Sequence, residues 1–300
     1  MSESAHSPQS ALVAAGQPQI SRRGRAARIW RVLRKAPPTA WFGLVVIGVY
    51  LFAAVFAPLL APYSETELVG GAFEPWGGQF LLGTDQLGRD MLSRLIYGAR
   101  NTVGIAFLTT MLSFLLGGAL GLVAAISGGW LDQVLGRSVD VLMSIPQLIF
   151  ALVLLSIVGS SVVNLIVIIA VLDSTRVFRL SRSVAQGVVV MDYVEAARLR
   201  GEKLPWIMRR EILPNIMPPL VAEFGLRFCF VFLTISALSF LGLGIQPPTA
   251  DWGSMVRDNA ALITYGDVTP LLPAGAIALL TVAVNFVVDW FLHKTSGLRE

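Results

Sequence analysis

DYVEAARLRGEKLPWIMRREILPNIMPP, residues 192–219, is a polar, strongly basic island between long apolar segments. Asp192, followed three residues later by Glu195, has the form of an N-terminal capping box, so a short helix is expected from Tyr193. Gly201 is placed to end that helix by taking the left-handed backbone other residues avoid. Ala197 and Gly201 lie four apart on one face, beside Val194 and Arg198. A short helix with small residues on one face can seat deeply in a groove of another protein. Pro205 suits the first turn of a second short helix. Pro214, Pro218 and Pro219 are expected to punctuate the return to apolar sequence.

Around this island the chain is greasy. Its 300 residues are 55% hydrophobic and 14% charged, with a mean hydropathy of +0.69. That composition is too apolar for a soluble domain of this size and indicates an all-α polytopic membrane protein. The net charge of +4 sits in segments between apolar runs, which fits membrane orientation better than nucleic-acid binding. A single cysteine, Cys229, lies in an apolar run and allows no disulfide within the chain. The only histidines, His6 and His293, stand at opposite ends, so no zinc-type cluster is expected. None of the three lysines, Lys35, Lys203 and Lys294, follows a glycine, so the chain lacks a phosphate-binding P-loop.

Six membrane spans are expected. Residues 1–38 form a basic tail, in which Arg25, Arg28, Arg31 and Arg34 have the spacing of a short surface-lying helix. The first span, 40–60, is long enough for ~30 Å of hydrocarbon and follows too long a tail for a signal peptide. A polar connection, 62–100, ends in an amphipathic run with Met91, Leu92, Leu95, Ile96 and Ala99 opposite Arg89, Ser93, Arg94 and Arg100. The second span, 102–126, carries a small-residue ridge of Gly117, Gly121 and Ala125 suited to close helix packing. A short loop, 127–137, leads to a third span, 139–158, interrupted by Pro146. Gly159-Ser160-Ser161 turns the chain into the fourth span, which starts at 162 and must run past Asp173 towards Phe178 to cross. Spans five and six are 220–243 and 271–292, with a polar loop, 251–270, between them.

Charges inside these spans call for partners. Asp173 and Arg176, three apart, can pair, and Glu223 and Arg227 have the favourable i,i+4 order. Asp289 can pair with His293 or sit near Lys294. All are read as lying towards the cytoplasmic ends of their spans. With six spans, eighteen of the 23 Lys and Arg residues fall on one side, together with both termini. The positive-inside rule makes that side, and the 192–219 island, cytoplasmic.

The spacing Glu195-Ala196-Ala197, then Gly201, then Leu213-Pro214 resembles the EAA signature of membrane subunits of ATP-binding-cassette importers. Glu211 departs from it, since that slot often holds Ile. LGTDxxGRDxxSRxxxGAR is matched by Gly83, Thr84, Asp85, Gly88, Arg89, Asp90, Ser93, Arg94, Gly98, Ala99 and Arg100. It resembles the segment before the second span of permeases for dipeptides, oligopeptides and nickel. LSFLGLGIQPPTADWG, 238–253, is similar to a third segment of the same permeases, although Ile235 stands where many members carry Glu. The family's usual tail is replaced by WFLHKTSGLRE.

The resemblance, over roughly residues 75–300, implies a C-type permease of the type I importer fold in a prokaryotic plasma (inner) membrane. It implies a paired permease subunit in a heterodimer, two cytoplasmic ATPase subunits that bind ATP and magnesium, and an extracytoplasmic solute-binding protein. This chain itself would carry no cofactor. It divides the chain into a basic tail, 1–38; a first span with extracytoplasmic loop and elbow helix, 39–100; and a five-span core, 101–292, with the coupling loop at 177–219. A short tail, 293–300, ends it. The elbow residues Gly83, Asp85, Gly88, Arg89 and Asp90 are read first as structural, with contact to a binding protein or solute as the alternative for Asp85, Arg89 and Asp90. An ion-coupled secondary transporter would want carboxylates around a central cavity, which charges near the span ends disfavour. A non-transporting scaffold would leave the EAA spacing without a purpose.

Overall fold

A computed structural model describes residues 36–295; the expected surface helix over 25–34 lies outside them. Among the described residues the chain is helical, with no sheet and one isolated bridge between Thr84 and Asp90. Helix α1 (Pro38–Leu60) is apolar throughout and packs on α11 (Leu271–Thr295). Gly43 allows that approach, because a Cβ there would run into the carbonyl of Ala283. Tyr50 pins the pair by donating to the carbonyl of Ala276 at 3.0 Å.

The elbow is not a separate helix. Helix α2 (Met91–Gly98) continues through a π turn, Ala99–Val103, into α3 (Gly104–Ser127), giving one stretch from Met91 to Ser127. Nothing in 99–103 is a proline or a left-handed residue, so the ladder widens by one residue instead of breaking. The ridge on α3 meets α6 (Val162–Val189): a Cβ on Gly117 would strike the carbonyl of Ser174, and one on Gly121 that of Phe178 at 2.7 Å.

Residues 127–137, expected as a loop, are mostly helix. Gly128 and Gly129 take φ values of 59° and 57°, the chain turns within two residues, and α4 (Gly129–Met143) begins at once. Helix α4 and α5 (Gln147–Val158) are bent by 85° across a three-residue break, so 139–158 is not one straight span. Pro146 has no N–H to give the preceding turn and holds an extended ψ of 123°, which a helix cannot pass through. The α5–α6 hairpin turns on Gly159 (φ 94°), and the Ser161 hydroxyl oxygen caps α6 by accepting from Asn164 N at 3.1 Å.

The prolines that close the island do not end a helix. Helix α7 (Asp192–Leu199) is followed by α8 (Leu204–Ile207), a π turn (Met208–Ile212) and α9 (Leu213–Phe240), the last three forming one stretch, Leu204–Phe240. Pro214 falls in the first turn of α9, where a missing N–H costs nothing. The widened turn before it and a bond from Asn215 Nδ2 to the carbonyl of Glu211 (2.5 Å) accommodate the freed groups. The helical stretch that holds the expected fifth span, 220–243, therefore starts well before 220 and ends at Phe240. Likewise, 251–270 is not a plain loop: it holds α10 (Trp252–Asn259) and a 3₁₀ turn, Ala260–Tyr265. Trp252 is buried, donating from Nε1 to the carbonyl of Leu95 at 2.9 Å, with its ring against Gly98 and edge-on to Tyr50 and Phe232.

By length and apolarity four described stretches can cross a membrane: Pro38–Leu60, Met91–Ser127, Leu204–Phe240 and Leu271–Lys294. The bent pair α4–α5 would make a fifth. Helix α6 is 28 residues long but is not among them; it carries Asp173, Arg176, Arg179 and Arg182.

Candidate functional site

The 192–219 island folds onto the ends of α3, α6 and α9. Val194 and Ala197 of α7 are fully buried, in one cluster with Ile207, Ile212, Ile216 and Leu220, plus Leu122 and Ala125 of α3 and Ala185 of α6. At about 0.8 kcal/mol per buried methylene, this cluster holds α7 firmly to the helices behind it. Ala197 thus faces the protein's own interior and not a docking face. The outward side carries Glu195, Ala196, Arg198, Leu199 and Arg200, with Leu199 83% exposed. Trp206, Arg209 and Arg210 line an open depression beside it with Pro205 and Pro214.

The helix ends follow the sequence at one end only. Gly201 has φ +81°, its N–H donates to the carbonyl of Arg198 at 2.9 Å, and the Glu202 N–H donates to that of Ala197 at 3.2 Å. A Cβ on Gly201 would meet no atom within 4 Å. The expected capping box is absent. Met191 holds the N-cap position with extended backbone and no side-chain cap, and Asp192 is already helical. Asp192 and Glu195 in the first turn still complement the positive end of the helix dipole.

The intramembrane charges group differently from their sequence spacing. Asp173, fully buried on α6, lies 3.6 Å from Arg227 Nη1 on α9 and accepts from the Ser113 hydroxyl of α3 at 3.0 Å. Arg227 Nε lies 2.7 Å from Glu223 Oε1, and its guanidinium covers the Phe230 ring at 4.6 Å. Arg176 does not join Asp173; its Nη1 donates to Gln147 Oε1 at 2.8 Å. Side chains three apart on a helix diverge by about 60°, and α9 lies on the Asp173 side. Asp289 stays apart from this cluster: it is exposed, and His293 Nδ1 meets its main-chain oxygen at 2.8 Å, while Lys294 lies over Trp290. Because α9 begins further back than expected, Arg227 is near its middle, as Asp173 is near the middle of α6. Asp289 lies in the last third of α11.

The elbow motif is buried on both faces. Asp85 lies 2.7 Å from Arg89 Nε and 3.3 Å from Arg94 Nε, and its Oδ1 accepts from the N–H groups of Leu87 and Arg89. Gly83 and Gly88, at φ 71° and 79°, make the turns that bring these groups together. Asp90 caps α2 by accepting from Ser93 N at 2.8 Å and Ser93 Oγ at 2.6 Å. Arg94 Nη1 donates to the carbonyl of Glu65, whose carboxylate in turn accepts from Asn101 and from Ala250 N. Asp85, Arg89 and Asp90 are 3% exposed or less. Sequence reading missed two further groups here. Buried Asp251 accepts from Thr102 Oγ1 (3.0 Å) and Ser254 N (2.8 Å), and burial pushes its carboxyl above the ordinary range. Trp76 Nε1 donates to Thr269 Oγ1 at 2.9 Å, tying the first loop to the last. No local pattern in the sequence announces either pairing. Among the described residues no cluster of metal-ligating side chains occurs.

Residues 117–294 match the family described as binding-protein-dependent transport system inner membrane component, and residues 25–72 match the N-terminal TM domain of oligopeptide transport permease C. The chain is 37% identical over 265 residues to the di/tripeptide transport system permease protein DppC of Pseudomonas aeruginosa, covering 86% of this chain and 85% of that one. It is 33% identical over 264 residues to the dipeptide transport system permease protein DppC of Alkalihalophilus pseudofirmus, covering 86% and 83%. A putative peptide permease protein of Brucella suis is 36% identical, over 87% and 85%. An amino acid ABC transporter solved with histidines shares the fold, at a TM-score of 0.51 and 20% identity, over 68% of this chain and 94% of that one. This chain belongs to the family of binding-protein-dependent transport system inner membrane components, and is a membrane-spanning permease subunit.

Proposed function

We propose that the chain is one half of the transmembrane path of an ATP-driven importer of small peptides, delivered by an extracytoplasmic binding protein. The carrying observation is the outward face of α7: a glycine-terminated short helix, exposed and cationic outside, locked inside to the ends of α3, α6 and α9. A push on such a helix moves three long helices at once. Closure of an ATPase dimer against Glu195, Ala196, Leu199 and Gly201 would be transmitted in this way, provided the contacts differ between the two states. Leu213 and Pro214 act from behind, at the start of α9, and Ala197 acts as the inner anchor. ATP and magnesium belong to two separate ATPase subunits, and the second half of the path to a paired permease in a heterodimer.

In this reading there are six spans: α1, α2–α3, the bent α4–α5, α6, α8–α9 and α11. Both termini and the 192–219 island face the cytoplasm. The cationic bias of that side and the tight α5–α6 hairpin support the count. The names of the relatives support peptides as the cargo. The test is reconstitution of the chain with a partner permease, ATPase subunits and a binding protein of the same class of importer. Labelled dialanine should accumulate only with ATP inside the compartment of the ATPases. Uptake without ATPase subunits, or purification of the chain free of them, overturns the reading.

A further inference from the structure

Helix α5 ends and α6 begins at a hairpin, Gly159–Ser161, and α5 is only 12 residues long, about 18 Å. The break at Ser144–Pro146 therefore sits inside the ~30 Å hydrocarbon layer if the hairpin lies at its edge. Ser144, Ile145 and Pro146 are exposed there. Non-helical backbone at that depth is tolerated only inside protein or beside water. Lipid cannot be what it faces.

Arg176 is fixed at the same level, about 21 Å along α6 from the hairpin. It is exposed, and its Nη1 is held by Gln147 Oε1 at the break, instead of reaching for the membrane surface. Gln147, Thr175 and Arg176 border a small cavity of about 90 Å³ with Met143, Pro146 and Leu172. One turn on, Nη1 of the exposed Arg179 lies 3.8 Å from the sulfur of Met143. Among the described residues neither guanidinium has a carboxylate within 4 Å, whereas Asp132 holds Arg182, and Asp173 and Glu223 are spent on Arg227. Two exposed cations with neutral partners at this depth are a charge awaiting an anion, since ionic groups in spans pair or face water.

We propose that Gln147, Arg176 and Arg179 line the solute path and that Arg176 is its subsite for a carboxylate, such as the C-terminal group of a peptide. This rests on the permease reading above and adds the chemical group recognised and the helix face that recognises it. The guanidinium offers a planar fork of donors that matches a carboxylate, and Gln147 sets its orientation in the empty state. A passing carboxylate displaces a neutral amide and forms no covalent bond, so the site is crossed without being trapped.

The chain's one cysteine, Cys229, is buried, so a Cys229→Ala background gives clean thiol chemistry. Gln147→Cys and, as a lipid-facing control, Val55→Cys are made in it, and membranes carrying the complete transport complex are treated with anionic and cationic methanethiosulfonates. Gln147→Cys should label while Val55→Cys does not. Relative to their rates with a free thiol, the anionic reagent should be favoured about 10-fold at Gln147→Cys, as a focused positive field raises local anion concentration. Adding Arg176→Gln should lower that ratio several-fold, leaving only what Arg179 contributes, while Arg176→Lys keeps most of it. Absence of labelling, as expected if the paired subunit covers this face, overturns the proposal. So does a ratio that ignores Arg176. Dialanine uptake by the unmodified complex is measured alongside. Labelling with the expected charge preference but no dialanine uptake would leave the carboxylate subsite standing and reject dialanine as cargo.

Discussion

Asp173 on α6 and Arg227 on α9 face each other at 3.6 Å in the middle of their helices, with Glu223 completing the cluster at 2.7 Å from Arg227. The attraction binds α6 to α9, while Ser113 adds α3. Removing one member leaves a buried charge without compensation. Arg227→Met should therefore destabilise the fold by about 3–5 kcal/mol, and Asp173→Asn combined with Arg227→Met should recover the part due to the fully buried Asp173, Glu223 keeping its unpaired charge. Thermal unfolding of the purified chain in detergent reads both. A double variant as unstable as the single one would mean that the pair is not what holds these helices.

Asp85 serves two buried guanidiniums at once, Arg89 and Arg94. Asp85→Ala should cost at least as much as breaking one buried pair, about 3 kcal/mol, and should lower the amount of folded protein in the membrane. A variant that folds normally but fails only to respond to a binding protein would move this residue from scaffold to contact surface.

Gly201 separates stability from function. Its φ of +81° makes any side chain cost about 1–2 kcal/mol, yet nothing in the chain itself obstructs a Cβ. Gly201→Trp should insert into the membrane and fold nearly as well as the parent, but should lose ATPase association and transport. Solute-stimulated ATP hydrolysis at the normal rate in that variant would remove α7 from the coupling path.

Asp251 gives a pH dependence. Burial raises its carboxyl in the folded chain above the ordinary 3.8, partly offset by bonds from Ser254 and Thr102. A raised folded value means the folded state holds the proton more tightly. The corresponding stabilisation is complete below the ordinary value and is lost as pH rises through the folded one. Relative to Asp251→Asn, which does not titrate, the parent should be more stable at pH 4 than at pH 8. A difference in melting temperature that is flat across this range would contradict it.

The motifs carried over well where the physics was local. Gly201 stops a helix because φ > 0 is open to glycine and to few other residues, and the Gly117–Gly121 ridge packs closely because a missing Cβ is a missing obstacle. Glu223 and Arg227 met because one turn of helix brings them together. The sequence misled where a second element decides. Asp173 preferred Arg227 of a distant helix to Arg176 three residues away. Ala197, small enough to fit a foreign groove, fits its own interior instead. The three prolines expected to punctuate the return to apolar sequence lie within α9, Pro214 in its first turn and Pro218 and Pro219 further in.

The amino-acid order alone determined that this is a helical membrane protein with a basic island and without a nucleotide-binding loop of its own, because hydropathy, charge bias and glycine placement act within a few residues. Tertiary structure alone decided which charges neutralise one another and which face of α7 is buried against the rest of the chain. Those outcomes depend on distances between segments far apart in the chain, and burial sets their cost. No window of sequence contains either quantity.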